Sequence, residues 1–113
     1  MDGGGITVAN DGKVVSIFRR KQEIILAAAG QPEQVLATGK DPAIAANGEG
    51  VFVAWSGADG VMAKVPGSAD ARRLDAEGGF PQLIALPGGT VLAAWERKGE
   101  IEFQRLSAGA SRF

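Results

Sequence analysis

Three stretches of the chain carry the fold: Val14-Val15-Ser16-Ile17-Phe18, Val51-Phe52-Val53-Ala54-Trp55 and Val91-Leu92-Ala93-Ala94-Trp95. Each is apolar on neighbouring residues, each favours the extended conformation, and each ends on an aromatic. A strand with one wet face alternates apolar and polar residues, so a strand apolar on successive residues requires cover on both faces. The stretches begin at 14, 51 and 91, a repeat of roughly 40 residues.

The repeat extends outward on both sides. Residues 6–9, 43–46 and 82–86 form a shorter apolar run ahead of each stretch. They are joined to it by Asn10-Asp11-Gly12, Asn47-Gly48-Glu49-Gly50 and Pro87-Gly88-Gly89. Asn-Gly, Asp-Gly and Gly-Gly supply the positive φ of tight hairpins. Behind each stretch come a third run, 23–27, 61–65 and 100–106, and a fourth, 34–36, 72–74 and 111–113. Segments 5–41, 42–80 and 81–113 therefore each read as a four-stranded antiparallel meander.

Composition agrees. The 113 residues suit one domain, and 17 of them are Gly. That is about 15% against an average of roughly 7%, as many tight turns would require. Apolar residues make up 45% and charged residues 22%, an ordinary globular balance. The net charge is −1 and the longest cationic run is Arg19-Arg20-Lys21, which argues against a nucleic-acid partner. The chain contains no Cys, His or Tyr. These absences remove disulfides, thiolate and His-ligated metal sites, the Ser-His-Asp triad and a tyrosine nucleophile. The longest apolar run, 24–29, falls far short of the roughly 18 residues of a membrane span. Residues 1–5 lack the basic start and apolar stretch of a secretory signal, which fits a cytoplasmic protein or a mature or shortened chain and leaves the compartment open.

Four strands per unit at this period are the signature of β-propeller blades stacked face to face. A single curled sheet or a 12-stranded barrel would not explain why the units resemble one another. The expected fold is all-β, three four-stranded antiparallel blades making half of a six-bladed propeller. Rings commonly close with four to eight blades, and an open arc would expose the apolar faces of its end blades. A second copy of the chain, meeting it through the first and last blades, would complete a six-bladed homodimer. The alternative is that the chain is part of a longer one.

Pro-Ala-Ile-Ala-Ala at 42–46 followed by Gly-Val-Phe-Val-Ala-Trp-Ser at 50–56, with the match from Pro81 to Glu96, resembles the repeats of sialidase-like six-bladed propellers. The Asp box of that family, S-x-D-x-G-x-x-W, is degenerate here. Residues 68–74 keep Ser68 and Asp70, residues 107–113 keep Ser107 and an aromatic end, and the first unit has only Ala29-Gly30-Gln31. The resemblance implies a propeller but no activity. The family's nucleophile is a tyrosine, which this chain lacks, and the surroundings of Arg19, Arg20 and Arg97 do not match the family's arginine motif. No catalytic residue, metal or cofactor is expected, and the chain is read as a non-catalytic module. The alternative is a fragment of a glycosidase-like enzyme whose catalytic residues lie elsewhere.

In a meander, the turns between second and third strands share an end with the links between blades, the end that carries the active site in the family resembled. Arg19, Arg20, Lys40, Asp41, Asp59, Glu96 and Arg97 are the charged residues expected there, facing a carbohydrate or a small anion. As solvated turn charges they would be ordinary surface. Phe18, Trp55 and Trp95, at matched positions, are expected to pack between blades rather than to stack on sugars. Glu100 and Glu102 alternate along one strand and share a side, the geometry of an acid/base pair or of a solvated face. Asp11-Gly12 and Asp59-Gly60 lack the D-x-D-x-D spacing of a calcium loop, and Gly3-Gly4-Gly5 lacks the ending and the helix of a phosphate loop.

Overall fold

Short apolar runs separated by Asn, Asp and Gly can return on themselves only as hairpins, and the computed structural model, which describes residues 4–108, is built from them throughout. Eleven strands form three antiparallel sheets, and no helix occurs among the described residues. The first sheet is β1 (Gly4–Val8), β2 (Val14–Arg20), β3 (Glu23–Ala28) and β4 (Gln34–Thr38). The second is β5 (Lys40–Asn47), β6 (Gly50–Gly57), β7 (Gly60–Lys64) and β8 (Arg72–Asp75). The third holds β9 (Gly79–Ala85), β10 (Val91–Arg97) and β11 (Glu100–Leu106). Within each sheet the strands pair in chain order. The fourth run expected at 111–113, and most of the degenerate box at 107–113, lie outside the described residues.

Side-chain capping fixes the turns. The Lys13 amide donates to Asp11 Oδ1 at 3.0 Å and the Glu49 amide to Asn47 Oδ1 at 2.8 Å, each an Asx turn. Asn47 also reaches the third sheet, its Nδ2 donating to the Gly89 carbonyl at 2.7 Å.

The sheets stack in chain order, with the second in the middle. Its strand β6 is buried from Phe52 to Ser56, so consecutive residues enter opposite layers. Val53 and Trp55, with Ile44, meet Val15, Ile17 and Ile24 of the first sheet. Phe52 and Ala54, with Ala45, Val61, Ala63 and Val65, meet Val91, Ala93, Trp95 and Leu106 of the third. Each outer sheet packs one face on the second sheet, and burial alternates along β2 and β10, although Ile25 of β3 is also buried beside Phe18 on the outer face of the first sheet.

The first strands β1, β5 and β9 run side by side. Both β5 and β9 start two residues ahead of the prolines that open segments 42–80 and 81–113. Lys40 pairs with Ser56 and Gly79 with Glu96 across a β-bulge in each case. The bulges hold Asp41-Pro42 and Phe80-Pro81, where proline could not have donated to a regular ladder.

Candidate functional site

The turns β2–β3, β6–β7 and β10–β11 gather at one end of the stack with the links that lead into β5 and β9, and two clefts open there. The cleft between the first and second sheets has a volume of about 400 Å³ and is lined by Arg19, Gln22, Thr38 and Lys40. The cleft between the second and third measures about 460 Å³ and is lined by Lys40, Asp41, Phe80, Glu96 and Lys98 over a floor rich in glycine. Lys40, Ser56 and Gly57 line both. Volumes of roughly 300–1,000 Å³ are those of small-molecule sites.

The links explain the glycine. A Cβ on Gly39 would lie 2.5 Å from the Ser56 carbonyl oxygen and 2.7 Å from Trp55 Cδ1. One on Gly78 would lie 2.6 Å from the Glu96 carbonyl oxygen and 3.1 Å from Trp95 Cδ1. Each link thus lies directly against the aromatic of the sheet it enters. Two residues further on, Asp41 and Phe80 occupy the left-handed region at φ 55° and 56°. Aspartate tolerates that conformation. A bulky aromatic does not, and a following proline restricts it further, so Phe80 carries strain of about 1–3 kcal/mol. The surroundings hold it there: the Phe80 amide donates to Ser56 Oγ at 3.2 Å, and Ser56 is buried. The phenyl ring does not contribute to the core, since Phe80 is 60% exposed.

A polar cluster closes the flank between the second and third sheets. Trp95 Nε1 donates to Asp75 Oδ2 at 2.7 Å, and the Glu77 amide donates to Asp75 Oδ1 at 3.0 Å. Arg97 Nε lies 3.7 Å from Asp75 Oδ2 and 3.9 Å from Glu77 Oε1, ion pairs without a hydrogen bond. Lys98 Nζ approaches Glu77 Oε1 at 3.4 Å. The Glu77 amide, the Trp95 indole and the Arg97 charge together hold the Asp75 carboxyl below the usual carboxylate range. On the outer face of the first sheet, Arg20 grips Glu33 with two hydrogen bonds of 2.9 and 3.0 Å. Its guanidinium lies 5.4 Å from the centroid of the Phe18 ring. The hydrogen bond from Arg20 depresses the Glu33 carboxyl.

The structure divides the charged residues expected at this end. Lys40, Asp41 and Glu96 all line the second cleft, and Arg19 and Lys40 both line the first. Arg20 and Arg97 instead engage acidic partners on the flanks, and Asp59 lines neither cleft. Trp55 and Trp95 lie between sheets, whereas Phe18 is half-buried on the outer face of the first sheet. Glu100 and Glu102 pair in register with Arg97 and Trp95 and line neither cleft. Phe80 was not among the expected site residues. Its signal was the shared Gly-x-x-Pro spacing of Gly39–Pro42 and Gly78–Pro81, which aligns it with Asp41.

Among the described residues no group of three or more acidic side chains is placed to hold a metal ion, and no helix is long and apolar enough to cross a membrane. No family model, curated protein or solved structure matches the chain.

Proposed function

We propose that the chain is a non-catalytic β-propeller module of the sialidase-like type, three blades that close with a second copy into a six-bladed ring and present the cleft-bearing end as a binding face for a carbohydrate or small anion. The observation that carries this is a mismatch of burial at equivalent positions. Ile24, Val61 and Ile101 are the third-strand partners of Arg19, Ser56 and Glu96, each the residue after the matched aromatic. Ile24 and Val61 are completely buried by the following sheet, while Ile101 is 59% exposed. Ala63 is likewise buried and its equivalent Phe103 is 68% exposed. Ile84 and Leu92 share that open face.

The converse holds at the other end. Trp55 and Trp95 are buried against the preceding sheet, but Phe18 has no preceding sheet, and Ile6, Val8 and Val14 beside it are exposed. The two open faces are thus the two halves of a contact that the chain makes twice internally. Fully burying a side chain of this kind contributes about 1.5–3 kcal/mol. The six most exposed of them, Ile6, Val8, Val14, Ile84, Ile101 and Phe103, still expose about half or more of their surface and together give about 5–10 kcal/mol per contact. Closing a ring of two copies makes two contacts for one loss of translational and rotational freedom.

Two charged variants test the pairing. In a head-to-tail ring, Phe103→Lys spoils both contacts of its own dimer, and so does Val14→Glu. Mixed together, they form a heterodimer with one intact contact and one Lys–Glu contact. Monomeric single variants that dimerise on mixing are the expected result. Single variants that both remain dimeric would show that the dimer does not depend on these two faces, and a monomeric parent chain would overturn the ring itself.

A further inference from the structure

We propose that the cleft between the second and third sheets is a binding site for a neutral carbohydrate, with the Phe80 ring as its stacking platform and Asp41, Glu96, Lys40 and Lys98 as partners for hydroxyl groups. The inference deepens the binding-face reading above but does not need the ring, since one chain supplies every residue named.

The backbone at Phe80 is the first reason. Asp41 occupies the equivalent bulge with nearly the same φ, and aspartate suits that conformation. Position 80 carries instead one of the residues least suited to it, and Phe80 stays 60% exposed, outside the core. Bulges commonly re-aim a side chain beside a functional site, and strain of this kind persists where the surroundings enforce it. Here the enforcing contacts are the Ser56 hydroxyl on the Phe80 amide and the close approach of Gly78 to Trp95. The fold thus holds a flat apolar face at the rim of a polar cleft.

Charge is the second reason. Two carboxylates, Asp41 and Glu96, and two ammonium groups, Lys40 and Lys98, line the cleft and balance. Lys98 is also bridged to Glu77, which weakens its pull on an anion. A strongly charged ligand gains little from such a set, whereas a polyol finds acceptors in the carboxylates and donors in the ammonium groups. A pyranose combines hydroxyl groups with an apolar C–H face that lies on an aromatic ring. Asp41 and Phe80 also line a groove of about 260 Å³ along β1, β5 and β9, which leaves room for a sugar to extend beyond the cleft.

Saturation-transfer NMR with the methyl glycosides of glucose, galactose, mannose and fucose, and separately titration with inorganic phosphate, tests this on the intact chain. At least one glycoside should bind saturably, with transfer strongest to its ring C–H protons. Phe80→Asn should weaken that binding about tenfold or more while the melting temperature holds or rises, because asparagine accepts the left-handed backbone. No binding by any glycoside, binding of phosphate alone, or full binding by Phe80→Asn would each overturn the proposal. Light scattering on the same samples reads the ring independently, so failure of either reading leaves the other standing.

Discussion

Trp95→Ala removes the largest side chain between the second and third sheets. Trp95 is 5% exposed and packs in the cluster containing Ala54, Val61, Ala63 and Val91. Nearly all of its surface is therefore withdrawn from water on folding, about 200 Å², worth about 5 kcal/mol at about 25 cal/mol per Å². Large-to-small substitutions of buried aromatics cost about 3–5 kcal/mol, which includes the cavity left behind. The substitution also strips Asp75 of its indole donor. For a domain of this size, about 4 °C is lost per kcal/mol at the least, so the melting temperature should fall by at least about 12 °C. Thermal unfolding followed by far-ultraviolet circular dichroism measures this at a fixed protein concentration. Phe18→Ala, on the open face, is the control: in the monomer it costs clearly less, because Phe18 is already half-exposed. A Trp95→Ala loss below about 1 kcal/mol, or a loss no larger than that of Phe18→Ala in the monomer, would refute the assignment of Trp95 to an inter-sheet core.

Acid should loosen the flank between the second and third sheets. The Asp75 carboxyl is held below its unfolded value of about 3.9, so the stability it contributes is complete above about that pH and is lost as pH falls through the lower, folded value. Asp75→Asn should therefore be less stable than the parent near neutrality, and denaturant melts should show the gap closing in acid. Gly78→Ala places a Cβ 2.6 Å from the Glu96 carbonyl oxygen at a backbone φ of 99°, and chemical denaturation should show a loss of about 1–3 kcal/mol. Arg20→Ala breaks an exposed ion pair with Glu33 and removes the guanidinium from beside the half-buried Phe18 ring, and its melt should still stay close to that of the parent; a large shift would mean that the outer face of the first sheet is already covered.

Much of the fold was legible because hydrophobic patterning is local. Five consecutive residues of β6 alternate between two layers, so their unbroken apolarity required a sheet on each side, and the second sheet has both. The matched aromatics marked the same strand in each repeat. What patterning could not separate was a middle sheet from an end sheet. Phe18 has the sequence surroundings of Trp55 and Trp95, yet no sheet of the described residues packs on its face, and it is half-buried. Partner choice among charges was equally hidden. Arg20 and Arg97 stand in similar sequence, yet one grips Glu33 thirteen residues away and the other lies against Asp75 of the preceding sheet and Glu77 of the link that follows it. The rim of the second cleft was missed for a different reason. Proline ordinarily opens a strand or a turn, so Asp41-Pro42 and Phe80-Pro81 read as boundaries, whereas pairing resumes on the far side of a bulge and carries Phe80 into β9. No rule of residue preference places phenylalanine at positive φ.

The ring stands or falls on the solution mass of the purified chain, measured by light scattering behind a sizing column across a dilution series. The chain mass is 11.6 kDa. A single species at twice that value, persisting on dilution and lost in Phe103→Lys, is the predicted result. A folded monomer at every concentration would contradict it, and a ladder of larger species would show that the head-to-tail contact exists but does not close.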